Sequence, residues 1–205
     1  MILGLGCQKR VGKDTVGDIL ERDYGFTKLS FASPLKNLCE VLVRFHMGRI
    51  EEGQYKCYVH DWASRHNMGK DSVVFAKLLI GRFDKELFVQ DETGKYRKLL
   101  QYIGTDLIRD QYRDTFWLDI VNERTKELPR CVITDIRFPN EKALIDKIGH
   151  AIQVVRPGLE EGTHSSELAC VGLKWWYTID NNGTMEELVD QVGDLIMTLG
   201  GEEQS

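Results

Sequence analysis

Long apolar runs are missing from this 205-residue chain: nowhere does it approach the about eighteen uncharged apolar residues that a membrane-spanning helix requires. The apolar start, Met1 to Gly6, is too short for the core of a secretory leader. No CxxC pair occurs, and the five cysteines (Cys7, Cys39, Cys57, Cys131, Cys170) are odd in number and scattered. That spacing argues against a disulfide framework and for reduced, intracellular thiols. Cys57, His60 and His66 lie close in sequence but lack a fourth ligand at a spacing that suits zinc. Positive charge is not in excess either. The 27 Lys and Arg face 32 Asp and Glu, for a net charge of -5, which excludes a broad duplex-binding surface while leaving room for a local basic pocket. The expectation is a cytoplasmic protein with small-molecule substrates and neither a nucleic acid polymer nor a membrane as partner. No sequence rule fixes oligomeric state, so a homodimer stays open.

What is present suits one core. With 42% apolar residues, the chain is long enough for a single domain over 1-205 and short for two. Ile2 to Leu5 reads as a strand, followed by a polar loop and by Val16, Ile19 and Leu20 at helical spacing before Gly25. Phe26 to Phe31 reads as a second strand, with Ser33 as N-cap and Pro34 at the first position of a helix through Leu42. From about 46 to 98 the periodicity loosens, and this stretch is expected to be an insert. Leu99 to Ile108 and Phe116 to Val121 predict two helices on a shared core. Cys131 to Thr134 has the apolar character of a strand buried on both faces, with Asp135 at its carboxyl end and a helix over Asn140 to Ile148 after it. Ala151 to Val155 and Trp175 to Ile179 are further strands. Thr184 and Glu187 form a capping box for a last helix, with a frayed tail from Gly200. Alternating strands and helices imply an α/β fold with a parallel sheet and ligands beyond the carboxyl ends of its strands.

Between the first strand and the first helix lies Gly6-Cys7-Gln8-Lys9-Arg10-Val11-Gly12-Lys13-Asp14-Thr15. Successive backbone N–H groups at such a place, with the positive end of the helix dipole, form a nest for phosphate oxygens, and Lys13 reaches the outer phosphates. The match to GxxxxGK[ST] is imperfect: Cys7 takes the first glycine position and Asp14 the Ser/Thr position. Gly12-Lys13-Asp14-Thr15 is similar to the GKGT of adenylate-kinase-type enzymes, which implies a phosphate contact for Thr15. A dinucleotide fingerprint starting at Gly4 fails, because its third glycine would fall on Lys9.

Further blocks follow in order: Phe31-Ala32-Ser33-Pro34-Leu35-Lys36, then Arg97-Lys98-Leu99-Leu100-Gln101-Tyr102-Ile103-Gly104-Thr105-Asp106 with Arg109 and Trp117 downstream. Asp135-Ile136-Arg137-Phe138-Pro139-Asn140-Glu141, His164-Ser165-Ser166-Glu167 and Ile179-Asp180-Asn181-Asn182-Gly183-Thr184 complete the set. Together with the GKDT loop they resemble the phage-type deoxynucleoside monophosphate kinases. The resemblance implies a P-loop kinase fold, three-layer α/β/α, with an inserted, mostly helical acceptor-binding region, and a protein of the host cytoplasm if viral. It also implies transfer of the γ-phosphoryl group of ATP, with magnesium, to a dNMP.

Phosphoryl transfer depends on positioning and charge neutralisation, so cations should dominate the site. Lys13 is the candidate for the outer ATP phosphates, with Arg10, Val11, Gly12, Asp14 and Thr15 as further ATP-binding positions and Arg156 as a second clamp. Arg97, Arg109 and Arg137 are candidates for the acceptor phosphate, since a guanidinium binds phosphate oxygens in a bidentate way. Ser33, Lys36 and Gln101 join them as substrate-binding candidates, Gln101 for its two-way hydrogen bonding to a base edge and Tyr102 for its stacking face. Asp135 and Asp14 are the candidate magnesium ligands. Lys13, Arg109, Arg137 and Asp135 form the catalytic set. For the arginines an ion pair with Asp106 or Glu141 is an alternative; for Asp135 a capping or arginine-orienting carboxylate, and for Asp14 a partner of the helix dipole. Two alternatives of function also stay open: another small-acceptor kinase, phosphomevalonate- or dephospho-coenzyme A kinase-like, and an NTPase switch that needs no acceptor.

Overall fold

Strand β1 (Ile2–Gly6) is almost wholly buried, as its Leu and Gly residues require of a strand at the centre of a sheet. In the computed structural model, which describes residues 1–6, 8, 10–66, 79, 83–158 and 172–202, β1 pairs in parallel with β3 (Cys131–Ile136) and with β4 (His150–Val155). The outer strands, β2 (Thr27–Leu29) and β5 (Tyr177–Asp180), pair in parallel with β3 and β4. The order β2-β3-β1-β4-β5 is therefore all parallel. Register runs Ile2 to Cys131 and Leu3 to His150 across the centre, with an irregularity in the β3 pairing between Gly4 and Gly6.

Side chains alternate across β1, and so do its neighbours. Leu3 and Leu5 join one apolar cluster with Val16, Ile19 and Leu20 of α1 (Lys13–Tyr24) and Leu188, Val192 and Leu195 of α7 (Met185–Glu202). Gly4, pointing the other way, lies against Ile145 of α6 (Pro139–Ile148). Helices thus flank the sheet on both faces, the α/β/α layering expected of a P-loop kinase fold. The chain leaves β1 toward β2 and β3 and then crosses to β4 and β5, so the strand order reverses beside β1, the place where open α/β sheets bind ligands.

These elements, Met1–Phe31 with Val121–Ser205, make one unit; Ala32–Ile120 makes a second with its own core. There Leu38 and Leu42 of α2 (Ser33–His46), Val59 and Trp62 of α3 (Glu52–Arg65), and Ile103, Phe116 and Trp117 pack together. Tyr55 stacks on Phe45 at 4.4 Å between ring centroids and donates its hydroxyl to the Leu79 carbonyl at 2.7 Å. A short 3-10 helix, Lys85–Phe88, follows, then α4 (Arg97–Gln101), which runs on as a π-helix over Tyr102–Arg109. α5 (Phe116–Lys126) comes next.

Several details differ from expectation. The last strand is Tyr177–Asp180, two residues later at its start than Trp175 to Ile179, with Trp175 and Trp176 left outside the sheet. The second strand is only Thr27–Leu29. α2 begins at Ser33 with Ala32 as N-cap, so Pro34 stands one place later than the first helical position. The Leu99 to Ile108 periodicity is helical but changes from α to π at Tyr102. The last helix continues to Glu202, because Leu199 is buried in the core and carries the chain past Gly200 and Gly201. The capping box of that helix forms: Thr184 N donates to Glu187 at 2.7 Å, and Glu187 N donates to Thr184 Oγ1 at 3.2 Å.

Candidate functional site

β1 delivers the chain to the edge where all five strands end, and the turn into α1 is made by residues whose backbone is already committed. Gly12, the N-cap of α1, has φ 96° and ψ 18°, a left-handed conformation that side chains other than glycine's resist. Arg10 is also left-handed, at φ 63°. Between them Val11 is fully buried and anchors the turn in the core. Cys7 and Lys9 lie outside the described residues. Lys13 is the first residue of α1, and its Nζ donates to the Gln8 carbonyl, so its ammonium folds back over the loop. Asn181, just beyond β5, donates from Nδ2 to the Val11 carbonyl at 2.8 Å and occupies the space that a Cβ on Gly12 would need. On the other side of the strand end, the Trp175 indole lies against Gly6.

Next to β1, the end of β3 presents Asp135. One carboxylate oxygen accepts from Ser30 Oγ at 2.7 Å and the other from the Phe31 backbone N at 2.8 Å. Both donors sit just beyond β2, which pairs with β3, so the carboxylate is held where these two strands finish. Thr134 donates to Asp14 Oδ1 at 3.2 Å, tying this exposed residue of the first turn of α1 to the same strand. Arg137 follows β3 and is exposed; its backbone N donates at 2.8 Å to Glu141, a carboxylate only 2% exposed that also accepts from Phe138 N. Arg156, exposed, follows β4 directly. The sheet thereby gathers Lys13, Asp14, half-buried Thr15, Asp135, Arg137 and Arg156 at one edge.

The remaining candidates belong to the second unit. Ser33 and Lys36 are exposed in the first turn of α2, and Gln101 is exposed at the end of α4. Arg109, half-buried, ends the π-helix. Arg97 opens α4 with its side chain 60% exposed, and its Nε donates to Asp91 at 2.9 Å. Tyr102 meets Phe83 edge-on at 6.2 Å between centroids, which gives its ring a packing role within the core. His164 and Glu167 lie outside the described residues.

Asn181, Ser30, Thr134 and Asp91 are contributors that the sequence did not single out for a role. Asn181 stands 170 positions from its partner, and only the strand order brings the two together. Asp91 carried a local signal: Asp91-Glu92-Thr93-Gly94 places an Asp two residues before a Thr and three before a Gly, the composition of a side-chain-braced turn.

Among the described residues near the loop, Asp14 and the hydrogen-bonded Asp135 offer carboxylate oxygens, a donor set that would fit a magnesium ion keeping several of its waters.

Three viral proteins resemble the chain over most of its length. A candidate deoxynucleotide monophosphate kinase of Acanthamoeba polyphaga mimivirus is 30% identical over 209 residues, covering 94% of each chain. The deoxynucleotide monophosphate kinase of Enterobacteria phage T4 is 24% identical, over 93% of this chain and 96% of its own. The deoxynucleoside-5'-monophosphate kinase of Escherichia phage T5 is 27% identical over 73% of both. The deoxynucleotide monophosphate kinase family profile matches residues 53–192, from α3 through the middle of α7. A match over more than half of the chain, joined to a parallel sheet with its loop at the strand ends, makes this protein a member of the deoxynucleotide monophosphate kinase family, and so an ATP-dependent nucleoside monophosphate kinase.

Proposed function

We propose that this enzyme transfers the γ-phosphoryl group of ATP to a deoxynucleoside monophosphate, giving the diphosphate and ADP, with Lys13 at the ATP phosphates. The carrying observation is the loop itself: left-handed Gly12 hands the chain to α1, and Lys13 stands at that helix's positive end. The backbone N–H groups there suit the inner phosphates, and the Lys13 ammonium, now spent on the Gln8 carbonyl, would exchange that oxygen for those of the outer phosphates. Arg10, Thr15 and Arg156 add contacts to ATP. Asp135 and Asp14 are the residues suited to magnesium, whose charge offsets that of the phosphates when it is bound.

The acceptor phosphate, with a second pKa of about 6, is already dianionic at neutral pH, so no strong general base is assigned. Arg97, Arg109 and Arg137 are assigned to its oxygens, and Ser33, Lys36 and Gln101 to the rest of the acceptor. Glu141, by fixing the backbone at Arg137, limits where that guanidinium can reach.

The test is ADP production from ATP and magnesium with each deoxynucleoside monophosphate in turn, beside a control without acceptor and the Lys13→Ala protein. Turnover should require an acceptor and fall about 100- to 1,000-fold in the variant, the usual effect of losing one preorganised electrostatic contact. ADP formed at the same rate with or without every nucleotide would instead favour acceptor-independent hydrolysis.

A further inference from the structure

Directly before α4 the chain makes a tight turn built around one carboxylate. Asp91 Oδ1 accepts from Thr93 N at 2.9 Å, Thr93 Oγ1 at 2.6 Å and Lys95 N at 3.0 Å, while Oδ2 accepts from Arg97 Nε at 2.9 Å. The backbone closes the same loop, with Asp91 N donating to the Lys95 carbonyl at 2.8 Å and Gly94 N to the Asp91 carbonyl at 2.9 Å. Thr93 and then Arg97 hold the Asp91 carboxyl far below the usual carboxylate range, so it stays charged at any working pH.

The atom that Asp91 takes from Arg97 decides what the turn does. A guanidinium offers two edges, and the strongest hold on a phosphate uses a pair of parallel N–H bonds from one of them. Anchoring through Nε fixes the rotation of the plane. Among the described residues no hydrogen bond engages Nη1 or Nη2, and the side chain is 60% exposed. As a structural ion pair this contact would achieve little, since exposed pairs contribute small amounts to stability. Its geometry instead fits a preset hand: one side locked to a turn, the terminal nitrogens left for an anion.

We propose that Asp91 is a positioning residue that presents the Nη1 and Nη2 atoms of Arg97 to the phosphate of the acceptor nucleotide. The inference rests on the assignment of Arg97 to that phosphate.

Initial rates of the full chain would be compared for wild type, Asp91→Ala, Asp91→Asn, Arg97→Ala and the double variant Asp91→Ala with Arg97→Ala, with melting temperatures recorded for each. Asp91→Ala should raise the KM for the deoxynucleoside monophosphate about 2- to 5-fold, the range of an exposed charged pair, with the KM for ATP and the melting temperature nearly unchanged. Asp91→Asn keeps an acceptor for the turn but not the charge, and should raise the same KM by less. In the double variant the Asp91 change should add nothing to the loss caused by Arg97→Ala, because a positioning residue acts only through its partner. Losses that simply add, or an equal rise in both KM values, would overturn the positioning role while leaving Arg97 in place. An Arg97→Ala protein with an unaltered acceptor KM would instead remove Arg97 from the phosphate, and the inference with it.

Discussion

Gly12 shows how a single residue sets the phosphate loop. Its φ of 96° is open to glycine and costly for alanine, by about 1–2 kcal/mol. A Cβ there would also collide with the Asn181 amide that holds the Val11 carbonyl. Gly12→Ala should therefore weaken ATP binding by more than the backbone term alone, and adding Asn181→Ala should recover the steric part only. Calorimetric titration with ATP on the two proteins checks this; an equal loss in both would mean that Asn181 yields without resistance. The glycine and the lysine of this loop were legible in the sequence because their neighbours in the chain carry the motif. Asn181 and Ser30 were not, since each finds its partner only through strand pairing, Ser30 at a separation of 105 positions. Asp135 was legible by its place at a strand end, but its donors Ser30 and Phe31 just beyond β2 were not.

Among the elements, the π-helix Tyr102–Arg109 departs most from what periodicity conveys. Leu99, Ile103 and Leu107 stand four apart, a spacing that an α-helix and a wider turn both keep near one face, so the sequence announced a helix without its hydrogen-bond pattern. The structure shows i to i+5 bonds, Asp110 N to Thr105 O at 3.0 Å and Arg113 N to Ile108 O at 2.7 Å. Two side chains accompany the change. Leu35 of α2 packs so closely on Gly104 that a Cβ there would lie 2.6 Å from its Cδ2, and Trp117 Nε1 donates to the Gly104 carbonyl at 3.0 Å. One of the blocks that resemble the kinase family, from Arg97 to Asp106, thus overlaps an irregular helix of the sort that recurs at functional sites. Trp117→Phe keeps part of the aromatic packing but removes the side-chain donor from the Gly104 carbonyl, leaving it the bond of the π-helix, and should lower stability by about 0.5–1.5 kcal/mol, the net worth of one hydrogen bond. Urea unfolding followed by circular dichroism would measure it. A change below a few tenths would mean that the helical bond alone satisfies the carbonyl.

For the molecule as a whole, alternating strands and helices were enough to anticipate a parallel sheet, but not its order: β3 separates β2 from β1 although β2 follows β1 in the chain. A free thiol lies buried in each of the two cores, Cys131 in the sheet unit and Cys39 in the helical one. Burial pushes the Cys39 thiol up to about 12 and the Cys131 thiol up to about 11, from 9.0. Tyr55, beside Cys39 in the same helical core, is raised as well, first by burial and then by that cysteine. Between these values the folded chain keeps a proton that the unfolded chain releases, so stability must fall as pH rises. The contribution of the thiols is fully present below about pH 9 and is lost up to about pH 11 for Cys131 and about pH 12 for Cys39. The four tryptophans divide evenly, Trp62 and Trp117 in the helical unit and Trp175 and Trp176 in the other. A protein with Trp175→Phe and Trp176→Phe reports fluorescence from the helical unit alone. Its melting temperature should drop steadily from about pH 9 upward, and Cys39→Ala should lower the whole curve through lost packing while making that drop shallower. A slope unchanged by Cys39→Ala would show that Tyr55, rather than the thiol, carries the alkaline loss.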